Sequence, residues 1–117
     1  MKGEELEKLN ELIDEIREFS QENPIIVEGT KDRKALKEQG IQSNPYSKGI
    51  EDFSEKIRKK YPVSKKVLIL TDYDTRVELL RVKLKEALSR KGTEENIRLR
   101  RKFYRITKLI HVEGFRT

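Results

Sequence analysis

The chain has 117 residues, about one domain's worth, and its 27 Lys and Arg against 21 Asp and Glu leave a formal charge of +6. That length leaves little room for a two-domain enzyme with a deep cleft closed by a second lobe, so any active site is expected to be shallow and open. With no Cys and a single His, disulfides, thiolate chemistry, zinc fingers, iron-sulfur clusters and His-rich metal sites are excluded, and any metal should be oxygen-ligated Mg²⁺ or Mn²⁺.

Only 34% of the residues are apolar and 41% are charged, yet the apolar ones fall in short organised blocks, the pattern of a compact fold rather than of disorder. The opening MKGEELEKLN has no apolar core of a signal peptide, and no segment approaches the roughly 18 apolar residues that span a bilayer. A cytoplasmic protein with no membrane partner is expected.

Leu6, Leu9, Leu12, Ile13, Ile16 and Phe19 recur at three- and four-residue steps, which predicts an amphipathic helix over residues 4–21, stopped by Asn23-Pro24. Pro24-Ile-Ile-Val-Glu-Gly29 is apolar on successive positions, as in a strand buried on both faces of a parallel sheet. Thr30 is placed to cap a helix over 31–39 that Gly40 ends, and Ile41-Gln-Ser reads as a short second strand. Asn44 to Gly49 reads as a loop, and Ile50, Phe53 and Ile57 stripe a helix that ends before Pro62. Lys66-Val-Leu-Ile-Leu-Thr71 is a second doubly buried strand, delivering Asp72-Tyr-Asp74 at its carboxyl end. Val77, Leu80, Leu84, Ala87 and Leu88 follow helical spacing to Gly92. Thr93 is then expected to cap a last helix with Glu94 and Glu95 in its first turn, and Ile110 to Val112 to close with a strand. Alternation of helix and strand argues for a single α/β domain over 1–117, with a small, mostly parallel sheet covered by helices on both faces. Residues 1–23 form its leading helix and 24–113 its core.

Charge is unevenly placed. Residues 1–62 hold 12 basic and 14 acidic side chains, whereas 63–117 hold 15 and 7. Arg90 to Lys108 contains eight of those basic residues against Glu94 and Glu95. On the last helix Leu99, Phe103, Ile106 and Ile110 form the core-facing stripe, leaving Arg98, Arg101, Lys102, Arg105 and Lys108 on the opposite broad face. Such a face suits the phosphate backbone of RNA or DNA. The plain alternative is a solvated helix face.

In an open parallel sheet functional groups gather outside the carboxyl ends of the strands, where loops are free and helix N-termini point outward. Glu28 and the Asp72/Asp74 pair both occupy that edge. If their strands are neighbours, three like charges converge, an arrangement that a cation relieves. Asp72 and Asp74 alternate onto one side of an extended chain and can share one octahedral Mg²⁺ with several waters, while Glu28 can serve as general acid or base. Asp74 is equally suited to cap the helix from 75 onward.

The segment Ile25-Ile-Val-Glu-Gly-Thr-Lys-Asp32, followed further on by Val67-Leu-Ile-Leu-Thr-Asp-Tyr-Asp74, resembles the two signature motifs of the Toprim domain. That domain is shared by topoisomerases, bacterial primases, recombination-mediator proteins, old-family nucleases and 5S ribosomal RNA maturases. The resemblance covers residues 24–113 and implies a small α/β domain with a parallel sheet of about four strands. It also implies that Glu28 is the general acid/base and that Asp72 and Asp74 bind Mg²⁺ or Mn²⁺, with Asp32 and Glu78 as possible additional acids. Many members continue Asp-x-Asp-x-x-Gly-Glu, whereas here Val77 stands in the place of the Gly before Glu78, and Arg76 stands where type IA topoisomerases have an acid.

Lys31 and Arg76, beside these motifs, are candidate phosphate contacts, as are Arg98, Arg101, Lys102 and Arg105 on the last helix. His111 reads as a structural residue, Glu113 as a further strand-edge acid, and Tyr46 and Tyr73 as packing residues or base-stacking platforms. Two functions follow as expectations. The first is Mg²⁺-dependent phosphodiester chemistry on RNA or DNA, in a small nuclease resembling the maturases. The second is a non-catalytic module that binds metal and nucleic acid, with a protein partner supplying specificity in either case.

Overall fold

The computed structural model describes residues 3–47, 49–72 and 75–107, and these form an α/β fold with a four-stranded parallel sheet and five helices. Helix α1 (Gly3–Ser20) leads into β1 (Ile25–Val27), α2 (Thr30–Lys37), β2 (Asn44–Pro45) and α3 (Ile50–Lys60). Strand β3 (Lys66–Leu70), α4 (Thr75–Arg90), β4 (Glu94–Glu95) and α5 (Ile97–Thr107) follow. The strand order is β2-β1-β3-β4, with Ile25, Ile26 and Val27 of β1 opposite Leu68, Ile69 and Leu70 of β3.

Strand alternation sorts the apolar residues into two layers. Ile25, Val27, Leu68 and Leu70 point to one face, where Leu12 and Ile16 of α1, Leu36 of α2 and Leu99 and Phe103 of α5 cover them. Ile26, Val67 and Ile69 point to the other, beneath Phe53 and Ile57 of α3 and Leu84 and Leu88 of α4. Both strand runs are therefore buried on both faces, which is why they carry no polar alternation. No helix among the described residues is long and apolar enough to cross a membrane.

The glycine stops are as the sequence implies. Gly40 and Gly92 have φ of +74° and +89°, a region that costs little only without a Cβ. Beyond each, an amide returns to the last helical turn, Ile41 N to Leu36 O at 3.0 Å and Thr93 N to Leu88 O at 2.9 Å. A Cβ on Gly40 would also lie 3.0 Å from Nε of Arg17, whose guanidinium donates to Gln39 O.

Three boundaries differ from expectation. Gly29 rather than Thr30 is the N-cap of α2, and Asp32 reaches back to accept the Gly29 amide at 3.3 Å. The second strand is not Ile41-Gln-Ser but Asn44–Pro45. Ile41 instead drops into the core, while the Asn44 amide group donates to Ile25 O at 3.2 Å and to the Tyr61 hydroxyl. Thr93 does not cap the last helix: it is buried, and its hydroxyl accepts from Arg58. Glu94 and Glu95 form β4 against Lys66 and Val67, and α5 starts after Asn96, whose side chain accepts the Leu99 amide at 3.0 Å. The strand expected at Ile110 to Val112, with His111 and Glu113, lies outside the described residues, as do Tyr73, Asp74 and Lys108.

Candidate functional site

Strands β1 and β3 are neighbours, and the chain departs from them in opposite directions across the sheet: β1 leads by α2 to β2 on one side, β3 by α4 to β4 on the other. The gap between their carboxyl ends is thus the switch point at which open α/β sheets leave room for a ligand. Glu28 follows β1 and is half-buried; Asp72 lies two residues beyond β3 and is exposed. The Asp72 amide donates to Glu28 Oε1 at 2.8 Å, joining the two strand ends directly.

Lys31 and Arg76 are exposed on the first turns of α2 and α4, the helices that leave this edge. Among the described residues no group of three His, Asp or Glu side chains stands close enough to hold a metal ion. Asp74, the other acid of the second motif, is outside them.

The two additional acids have structural work. Asp32 closes the first turn of α2. Glu78 gives Oε1 to Arg81 at 2.5 Å and Oε2 to Arg100 at 3.3 Å. Arg81 holds its carboxyl below the usual carboxylate range, Arg100 adding to the effect against the opposing cost of burial. Arg81 also forks onto Glu95 at 2.6 and 2.8 Å, so its guanidinium is raised above its ordinary value, Glu78 being the largest cause. Four charges of alternating sign, Arg100, Glu78, Arg81 and Glu95, thereby tie α5, α4 and β4 together.

The expected uniform basic face of α5 divides. Arg98 and Lys102 both bind Glu15 of α1, at 2.6 and 2.7 Å, and draw its carboxyl below the usual range, Arg98 most strongly. Their charge is committed to holding α1 against α5. Arg101 and Arg105 remain exposed.

Arg100 and Tyr104, which no sequence motif singles out, lie beneath the site. Along β3 the carbonyls facing β4 are those of Lys65, Val67, Ile69 and Thr71. The first two accept backbone amides, from Glu94 at 2.9 Å and Asn96 at 2.7 Å. From Ile97 to Thr107 the chain is helical and offers no strand amides to that edge. Arg100 instead donates to Ile69 O at 2.5 Å, and the Tyr104 hydroxyl donates to Thr71 O. Four helical residues advance about 6.0 Å and two strand residues about 6.6 Å, so donors at 96, 100 and 104 keep step with acceptors at 67, 69 and 71. The Arg100 guanidinium also lies 4.8 Å from the Tyr104 ring centroid. A buried Arg at 1% exposure inside a run of surface cations is legible only from its place beside Leu99 and Phe103 on the helix.

No family model matches the chain. It is 36% identical over 106 residues to a UPF0292 protein of Methanosarcina acetivorans, covering 87% of this chain and 72% of that protein. A UPF0292 protein of Methanocaldococcus jannaschii is 30% identical over 107 residues, 88% of this chain and 81% of its own. A solved structure of an Aquifex aeolicus protein superposes with a TM-score of 0.76 at 34% identity, over 90% of this chain and 95% of that one. Shared identity at this level, over most of each partner's length, means that the chain belongs to the UPF0292 family.

Proposed function

We propose that the protein performs Mg²⁺-dependent phosphodiester chemistry on RNA or DNA, at a Toprim-like site formed by Glu28, Asp72 and Asp74. The observation that supports this reading is the hydrogen bond from the Asp72 amide to Glu28 at the β1/β3 switch point. It joins Glu28 of the first motif to Asp72 of the second at one edge, although the motifs are far apart in the chain.

The oxygen donors of Glu28 and Asp72 suit a hard cation. When bound, Mg²⁺ would offset charge developing on a phosphoryl oxygen. Asp72, with Asp74, would hold that ion. Glu28 Oε1 is already engaged by the Asp72 amide, which orients the carboxylate; its other oxygen would take a proton from attacking water or return one to the leaving oxygen. Exposed Lys31, Arg76, Arg101 and Arg105 would hold the phosphate backbone without reading bases.

A second reading, a non-catalytic module binding metal and nucleic acid, draws support from Glu78. Both oxygens of this extended-motif acid are committed to arginines.

Incubating labelled structured RNA and single-stranded DNA with Mg²⁺ separates the two. Cleavage by the wild type, lost in Glu28→Gln and in Asp72→Asn/Asp74→Asn, is the expected result. Binding without cleavage by the wild type would replace the first reading with the second.

A further inference from the structure

Among the described residues, the strand that leads to Asp72 has an incomplete neighbour. Strand β4 pairs with Lys66 and Val67 only, yet β3 continues to Leu70 and the site lies beyond it. An exposed or unpaired strand end of this kind frays, because its backbone groups exchange strand partners for water. Here the two carbonyls past the end of the ladder are occupied by side chains, Ile69 O by Arg100 and Thr71 O by Tyr104. Arg100 also contacts Glu78 in the first turn of α4, on the other side of the Asp72 loop. The loop is consequently held where it leaves β3 and where it enters α4, from one helix.

A buried arginine is a costly way to stabilise a fold, since an apolar side chain of similar volume commonly does as well. Its specific contribution here is a donor that reaches a strand carbonyl from a helix. Tyr104 does the same with a neutral group one turn later.

We infer that Arg100 and Tyr104 are positioning residues: they hold the end of β3 so that the Asp72 amide meets Glu28 at the switch point. The consequence for metal binding rests on the function proposed above; the consequence for the Asp72 amide does not.

The test compares wild type with Tyr104→Phe, which removes only the hydroxyl, and Arg100→Lys, which keeps a charge but shortens the reach. Arg98→Ala is the control, because Arg98 lies on the same helix and contacts α1 rather than β3. Hydrogen exchange of the Asp72 amide, followed by NMR on metal-free protein, should quicken roughly five- to tenfold in Tyr104→Phe and Arg100→Lys, and not in Arg98→Ala. Unchanged Asp72 exchange in both folded variants would overturn the inference. So would a uniform acceleration across β3 and α5, which would mark an ordinary packing role.

Mn²⁺ uptake, read from the EPR signal of the free ion, should weaken by a similar factor in Tyr104→Phe. A wild type that takes up no Mn²⁺ would remove the proposed metal chemistry and leave the exchange result to decide the positioning role.

Discussion

The amide of Asp72 and the carboxylate of Glu28 meet at 2.8 Å across a sequence separation of 44 residues. This bond links the ends of two parallel strands at the point where their connections diverge, and it gives Glu28 a structural contribution separate from the chemical one proposed for it. Glu28→Gln keeps an acceptor for the amide, so its urea midpoint should match the wild type. Glu28→Ala should lose about 1 kcal/mol, the worth of one such bond near the surface. Equal stability of the Ala and Gln variants would mean that the bond contributes nothing to folding.

Magnesium should raise the melting temperature of the wild type, since a ligand stabilises the state that binds it. In Asp72→Asn/Asp74→Asn the rise should vanish. A rise of the same size in the double variant, by differential scanning fluorimetry, would place the cation elsewhere.

The division of the α5 cations gives distinct salt dependences. Arg101→Glu/Arg105→Glu should weaken binding to a labelled oligonucleotide and lower the slope of log K against log salt by about 2, one for each phosphate that is no longer neutralised. Arg98→Ala and Lys102→Ala, whose cations are bound to Glu15, should leave that slope nearly unchanged and instead loosen α1 from α5.

Acid should expose the Glu15 contribution. Its carboxyl lies below the usual range in the folded protein because Arg98, then Lys102, favour the charged form. The unfolded chain, with an ordinary carboxyl, therefore binds protons first as pH falls. The stabilisation is present above the usual carboxylate pKa and disappears as pH descends through the lowered folded value. A Glu15→Gln variant should show a shallower loss of stability across that acid window, measured by urea unfolding at successive pH values.

In the core, Leu68→Ala should cost about 2–5 kcal/mol, because Leu68 is fully buried between α1, α2 and α5 and its removal leaves a cavity. Urea unfolding is the check, and a cost under about 1 kcal/mol would mean that the layer collapses around the gap.

The parallel sheet was legible because Ile25 to Val27 and Val67 to Leu70 are short apolar runs without alternation, and each is buried on both faces. Long helices were legible from their stripes. The short strands were not: β2 and β4 are two residues each, too few to show any period, and Glu94-Glu95 resembles the acidic first turn of a helix more than a strand. Asn96, three residues after Thr93, was the true cap, and two cap-forming residues so close together cannot be ranked without knowing where β3 offers amide acceptors. At the site, sheet logic puts Glu28 and Asp72 at the same edge, and the neighbouring of β1 and β3, which the sequence leaves conditional, brings them together. The commitments of Glu78, Arg98 and Lys102 depend on neighbours from other helices, and composition reads such residues only as charge.

The ladder of Asn96, Arg100 and Tyr104 also closes a border. Carbonyls in a row along an uncovered strand invite recruitment by a foreign chain, the first step of edge-to-edge aggregation. On the upper half of β3 those acceptors are already satisfied from within, by two side chains rather than by a strand. At the opposite border, β2 is only two residues long and one of them is Pro45, which has no amide to donate. Among the described residues, a visiting polypeptide therefore finds little to zip onto at either place.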